Sequence, residues 1–297
     1  AWVDHEDAEV WLAEADAAVM RLIPGARLSL RWIRHNPMVL VQSLVAALLT
    51  FFAAYLLLRA LELDVPVARA LAVVSVAASP AVLMRVVSDL RASGPVTDRA
   101  IALATLNTLY ALTAGTAMLR SIDRGDTTML ASLASSAAVL GVSLLVGALL
   151  AALLVGAFKL LHPTSQDTAI VILALIGACT AVTTPLGGSA PLATLLAGIV
   201  LKQLQPRPWV WPRQLGTAAA MLNVLMFVLV SLMAAQADWH GALTWAALAL
   251  VAARMAAKLL SLLLTGPASG LSLRQSLWVG VALVPMSSVA LLLTSQF

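Results

Sequence analysis

Two basic residues stand four apart in an otherwise apolar run, Arg254-Met-Ala-Ala-Lys258. That spacing puts them on one face of a helix. In lipid each charge costs about 2.5–3.5 kcal/mol on insertion scales, so both require water or polar partners. Three other polar groups lie in apolar surroundings: Asn107-Thr108, Ser79-Pro80, and Pro285 with Ser287-Ser288. A proline inside a helix withholds one backbone donor and blocks one carbonyl's usual partner. Such loose groups survive in a bilayer only beside protein or a wet cavity. Ser79, Pro80, Asn107, Thr108, Lys258, Pro285, Ser287 and Ser288 therefore form the candidate ion- or substrate-binding set, with Arg254 as a secondary member. Hydroxyl and amide oxygens could coordinate a cation without titrating. Lys258 is the deep group able to exchange a proton, whereas a guanidinium stays charged. Structural readings stand beside these. Lys258 could bond carbonyls freed by Pro80 or Pro285, Asn107 and Thr108 could bond between helices, and Arg254 could snorkel or pack.

The elements that must position these residues are membrane spans. The chain has 297 residues, 61% hydrophobic and 11% charged, against roughly 25% charged in a soluble domain. Apolar runs near the ~20 residues needed to cross a bilayer recur along it, which predicts helices and not a barrel. About nine spans are expected: 38–61, 66–89, 98–120, 129–161, 167–184, the stretch reaching about 204, 215–237, 242–264 and 273–294. Thr97 or Asp98 reads as the cap of the third. Residues 1–37 form an acidic, then basic and aromatic, cytoplasmic or interfacial lead-in. With the residue-1 end in the cytoplasm, 12 of the 18 Lys and Arg fall inside and four outside (Arg59, Arg69, Arg120, Arg124); Arg254 and Lys258 lie within a span. That asymmetry supports the orientation and an odd span count. It also explains the net charge of +4 without a nucleic-acid partner. Gly141, Gly147 and Gly156 could allow close packing at a dimer face. The lone Cys179 excludes a disulfide within the chain and reads as a buried, inert thiol. No metal-ligand cluster, nucleophile–base pair or phosphate-cradling loop is present, so neither an enzyme, a metal nor a cofactor is expected.

A repeat links the two breaks. Aligning Arg69 with Arg274 puts Pro80 on Pro285, 11 residues on in both, with Val74, Val76 and Ala77 matching Val279, Val281 and Ala282. The two spans run in opposite directions. Two discontinuous helices of opposite orientation are the pattern of inverted-repeat transporters, whose sites lie where the breaks meet.

These residues carry a resemblance. Ala78-Ser-Pro-Ala81 followed by Ser93-Gly-Pro-Val-Thr97, Ala104-Thr-Leu-Asn-Thr108, Arg254-Met-Ala-Ala-Lys258 and the stretch Gly280 to Leu292 are similar to the broken and ion-binding helices of the monovalent cation:proton antiporters. The resemblance covers about residue 30 to the end. It implies an all-α polytopic fold of two parts: core helices at about 38–120 and 242–297, and dimer or scaffold helices at about 129–237. It implies exchange of Na⁺ or K⁺ for H⁺ by alternating access in a bacterial inner membrane, by a homodimer. The family's first helices are not recognisable here and its last would lie beyond Phe297, so the sequence reads as incomplete at both ends. Two departures matter. Thr108 stands where the family carries its ion-binding aspartate, and Met286-Ser287-Ser288 replaces an Arg-Gly-Glu. No carboxylate lies deep in any span. An anion or uncoupled solute carrier, or a transport-inactive sensor or scaffold on the same fold, remain alternatives.

Overall fold

The computed structural model describes residues 30–123, 129–160, 166–205 and 242–286, with isolated positions between 22 and 28 and between 221 and 235. Every regular element among them is a helix. The chain divides into two compact units: Ala1–Leu30 with Thr116–Ala234, and Arg31–Gly115 with Ala235–Phe297. Five described helices are long and apolar enough to cross a membrane, counting the interrupted Val65–Asp89 as one; Asp167–Thr183 and Ala190–Leu204 are shorter apolar helices. Most of the expected seventh span and the second half of the ninth lie outside the described residues.

The second unit holds both breaks. After a short α1 (Leu30–His35), α2 (Met38–Ala60) packs against α3 (Val65–Val76) and α9 (Ala242–Thr265). An extended gap separates α3 from α4 (Pro80–Asp89), with Ala77 at φ −54°, ψ 138° and Ser79 at φ −110°, ψ 91°. The sequence dictates this gap. Pro80 cannot donate, its ring crowds the preceding turn, and the residue before it is pushed to extended backbone. The same proline suits the first turn of α4, where its missing N–H would be unpaired anyway. Ser79 caps that turn, its hydroxyl accepting from Val82 N at 3.3 Å. α5 (Pro95–Asp123) follows Gly94, whose φ of +127° makes the turn. The helix starts at Pro95, so Thr97 and Asp98 lie in its first turn and neither is its cap.

α9 leads through a 3₁₀ turn (Pro267–Ser269) to α10 (Leu273–Ala282). Ser272 and Gln275 close a reciprocal capping box at its start. α10 stops three residues before Pro285, because that proline can neither donate nor tolerate a continuing helix before it.

In the first unit α6 (Met129–Leu160) packs on α7 (Gln166–Thr183) and α8 (Ala190–Leu204). Leu150, Leu154, Ile172, Ile176, Ala193 and Leu201 form its core with Leu22. Two backbones approach closely: a Cβ on Gly198 would stand 2.2 Å from the Leu22 carbonyl oxygen, and one on Gly147 2.5 Å from that of Ala193. Gly147 thus serves packing inside the unit, and Gly141 and Gly156 face nothing within 4 Å. Cys179 is buried, with its sulfur 3.7 Å from the Thr183 hydroxyl.

Candidate functional site

The two interruptions meet in the second unit: the Ser79 backbone N–H donates to the Pro285 carbonyl at 3.1 Å. Around this link lie seven carbonyls that no helix ladder among the described residues uses. At the first break they belong to Ser75, Val76, Ala77 and Ala78, and at the second to Leu283, Val284 and Pro285. Each has a partner, and α9 supplies most of them. Arg254 donates Nε to Ser75 O at 2.8 Å and Nη2 to Ala77 O at 2.7 Å, and its Nη1 reaches Val284 O. Lys258 donates Nζ to Val76 O and Ala77 O, both at 3.3 Å, and to Leu283 O at 3.1 Å. The i, i+4 pair therefore ties both broken helices to one face of α9.

The electrostatics follow from the helix ends. α3 and α10 each finish at this point with carbonyls outward, and a helix C-terminus carries about half a negative charge. Two cations face two such ends. Lys258 is wholly buried and Arg254 is 3% exposed. An ammonium has three N–H donors, and Lys258 has three carbonyl acceptors, so the geometry accommodates its charged form completely. Among the described residues no carboxylate touches either cation, and the Arg85–Asp89 pair, at 3.6 Å, is exposed.

Thr108 and Asn107 differ sharply. The Thr108 hydroxyl lies 2.7 Å from Ala78 O and 2.8 Å from Ala104 O of its own helix, so its single proton is divided between them. Asn107 is equally buried, yet neither its Oδ1 nor its Nδ2 has a hydrogen-bond partner among the described residues. The structure thus brings together Ser79, Pro80, Pro285, Thr108, Arg254 and Lys258, with Asn107 adjacent in sequence to Thr108. Ser287 and Ser288 lie outside the described residues.

Sequence reasoning placed Arg254 at the margin, and the structure puts it across both breaks. It also overlooked Gln42, fully buried on α2 with Oε1 unpartnered, and Arg99, which donates to Ser269. The available signal was an amide in the second turn of a span that is otherwise almost wholly apolar.

Comparison with known proteins then adds the following. The family described as "Sodium/hydrogen exchanger, transmembrane" matches residues 23–297. No curated protein matches the chain. The sodium proton antiporter MjNhaP1 from Methanocaldococcus jannaschii, solved at pH 8, is similar in fold. The TM-score is 0.63 at 16% identity, over 95% of this chain and 71% of that one.

Proposed function

This chain belongs to the sodium/hydrogen exchanger transmembrane family, and on that premise we propose that it exchanges Na⁺ or K⁺ for a proton across a membrane, with Lys258 as the group that gives up and regains the proton. The observation that carries the reading is the three-to-three match between Lys258 Nζ and the carbonyls of Val76, Ala77 and Leu283. A neutral amine keeps two N–H groups. Loss of the proton therefore releases one of those carbonyls and exposes the nitrogen lone pair. Together with Asn107 Oδ1 these are neutral ligands suited to a monovalent cation. One positive charge leaves as one arrives, so the buried charge is unchanged, and no carboxylate is required. Arg254, which stays charged, keeps the crossing of the breaks intact meanwhile.

The anion reading is weaker. All three Lys258 donors, and three from Arg254, are engaged by carbonyls, so these N–H groups are turned away from any anion. A bacterial inner membrane, a cytoplasmic residue-1 end and a homodimer belong to the same proposal, supported by the basic-residue asymmetry and the family.

Purified protein in liposomes with an imposed pH gradient tests the function. Uptake of Na⁺, K⁺ or Li⁺ coupled to proton release is expected. Lys258→Arg should abolish it, because arginine cannot release the proton. Absence of cation-coupled proton movement in the unmodified protein, or full exchange in Lys258→Arg, would refute the proposal.

A further inference from the structure

Gln42 stands outside the mechanism above and is the most constrained polar side chain on α2. Its Nε2 donates to Ser269 Oγ at 2.9 Å. The same oxygen accepts from Arg99 Nη1 at 2.7 Å and donates its own proton to Gly266 O at 2.7 Å. A hydroxyl has one proton and two lone pairs, so Ser269 is saturated. Turning the Gln42 amide round would set Oε1 against a hydroxyl with no proton left to give. The amide is thus held one way, with Oε1 directed away from Ser269. Gln42 is 0% exposed, and Oε1 has no hydrogen-bond partner among the described residues.

The unpartnered Asn107 amide is on α5, the helix that α2 meets at the residue after Gln42. Ser43, next to Gln42, bonds Tyr110 at 3.0 Å, which fixes α2 against α5 at that level. Asn107 is one turn before Tyr110 on α5. Ala47, one turn after Ser43, packs with Ala111 and with Val76 and Ala77 of the first break. Two buried amides with unpartnered atoms thus stand on two helices, α2 and α5, that are joined beside the first break. A buried acceptor without a partner is uncommon in native proteins, and a bound water or ion is one of the things that completes it.

We propose that Gln42 is a ligating residue of the transport path, its fixed Oε1 receiving water or a partly hydrated monovalent cation on the way to the Asn107 amide. The inference rests on the exchange reading for its cargo. An oxygen acceptor held in place suits a cation or a water proton and repels an anion.

Two arms test it in liposomes. The first asks whether the position is wet. In a Cys179→Ser background, Gln42→Cys is exposed to a small charged methanethiosulfonate, with Ala54→Cys, equally buried on α2, as reference. Gln42→Cys should react several-fold faster. The second asks whether the cation is bound. Gln42→Leu should raise the cation concentration for half-maximal exchange several-fold with little change in maximal rate, and Gln42→Glu should reverse the rise. Reactivity no greater than that of Ala54→Cys, or an unchanged half-maximal concentration in Gln42→Leu, overturns the inference. If the unmodified protein moves no cation while Gln42→Cys still reacts, the wet path stands and the exchange reading falls.

Discussion

Arg254 and Lys258 could be recognised from spacing alone as two cations on one helix face, but the atoms they touch could not. Side-chain reach depends on where two distant breaks come to rest, and that is set by the packing of α9, α10, α2 and α3 together. The consequence is measurable. Arg254→Met would remove the donors that Ser75 O and Val284 O have among the described residues, whereas Ala77 O keeps Lys258. At about 1–3 kcal/mol for each buried carbonyl, the loss is about 2–6 kcal/mol. Thermal melting in detergent should show a large drop, with Arg254→Lys intermediate and the exposed Arg85→Met near wild type. Equal melting of Arg254→Met and Arg85→Met would remove the case for a structural role at the breaks. Thr108 shows the opposite limit of sequence reading. Its depth was legible, yet its proton is already committed to Ala78 and Ala104. Asn107, beside it, is the one whose amide has no partner among the described residues.

The helices themselves were legible where proline and glycine govern them. Pro80 and Pro285 predicted the two interruptions, and the aligned repeat predicted that they correspond. Where each helix stops before its proline was not legible. α3 stops at Val76 and α10 at Ala282, short of each proline, because nearby side chains can take over the released carbonyls. Which glycine packs against a neighbouring helix of this chain was not legible either. Three glycines of α6 were equivalent in sequence, and only Gly147 meets another backbone. The tightest approach among the helices of that unit is at Gly198, whose added Cβ would fall 2.2 Å from Leu22 O. Gly198→Ala should therefore destabilise by about 1–3 kcal/mol through overpacking. Gly141→Ala, with nothing within 4 Å, should be neutral or slightly stabilising. Melting curves that rank these two the other way would show that the helices separate at little cost.

For the whole molecule, composition alone established a multi-pass membrane protein, and the division into two units places every described member of the candidate set in one of them. The family's fold gives that unit a further testable property. Thr108 touches Ala78 O, next to the Ala77 carbonyl that both cations share, so a carboxylate introduced there would lie close to Lys258. Thr108→Asp is expected to raise proton-coupled cation flux in liposomes well above that of the unmodified protein. An unchanged or lower flux with normal melting would mean that the unit works only with its own neutral ligands. The shared carbonyl has one more effect. Its two lone pairs serve Arg254 Nη2 and Lys258 Nζ at once. On the exchange reading, if Ala77 O is the carbonyl that the neutral amine gives up, the guanidinium keeps that oxygen alone while its Nη1 stays on Val284 at the second break. A proton lost from Lys258 in that way would be felt, through a single oxygen, by the one side chain that spans both breaks.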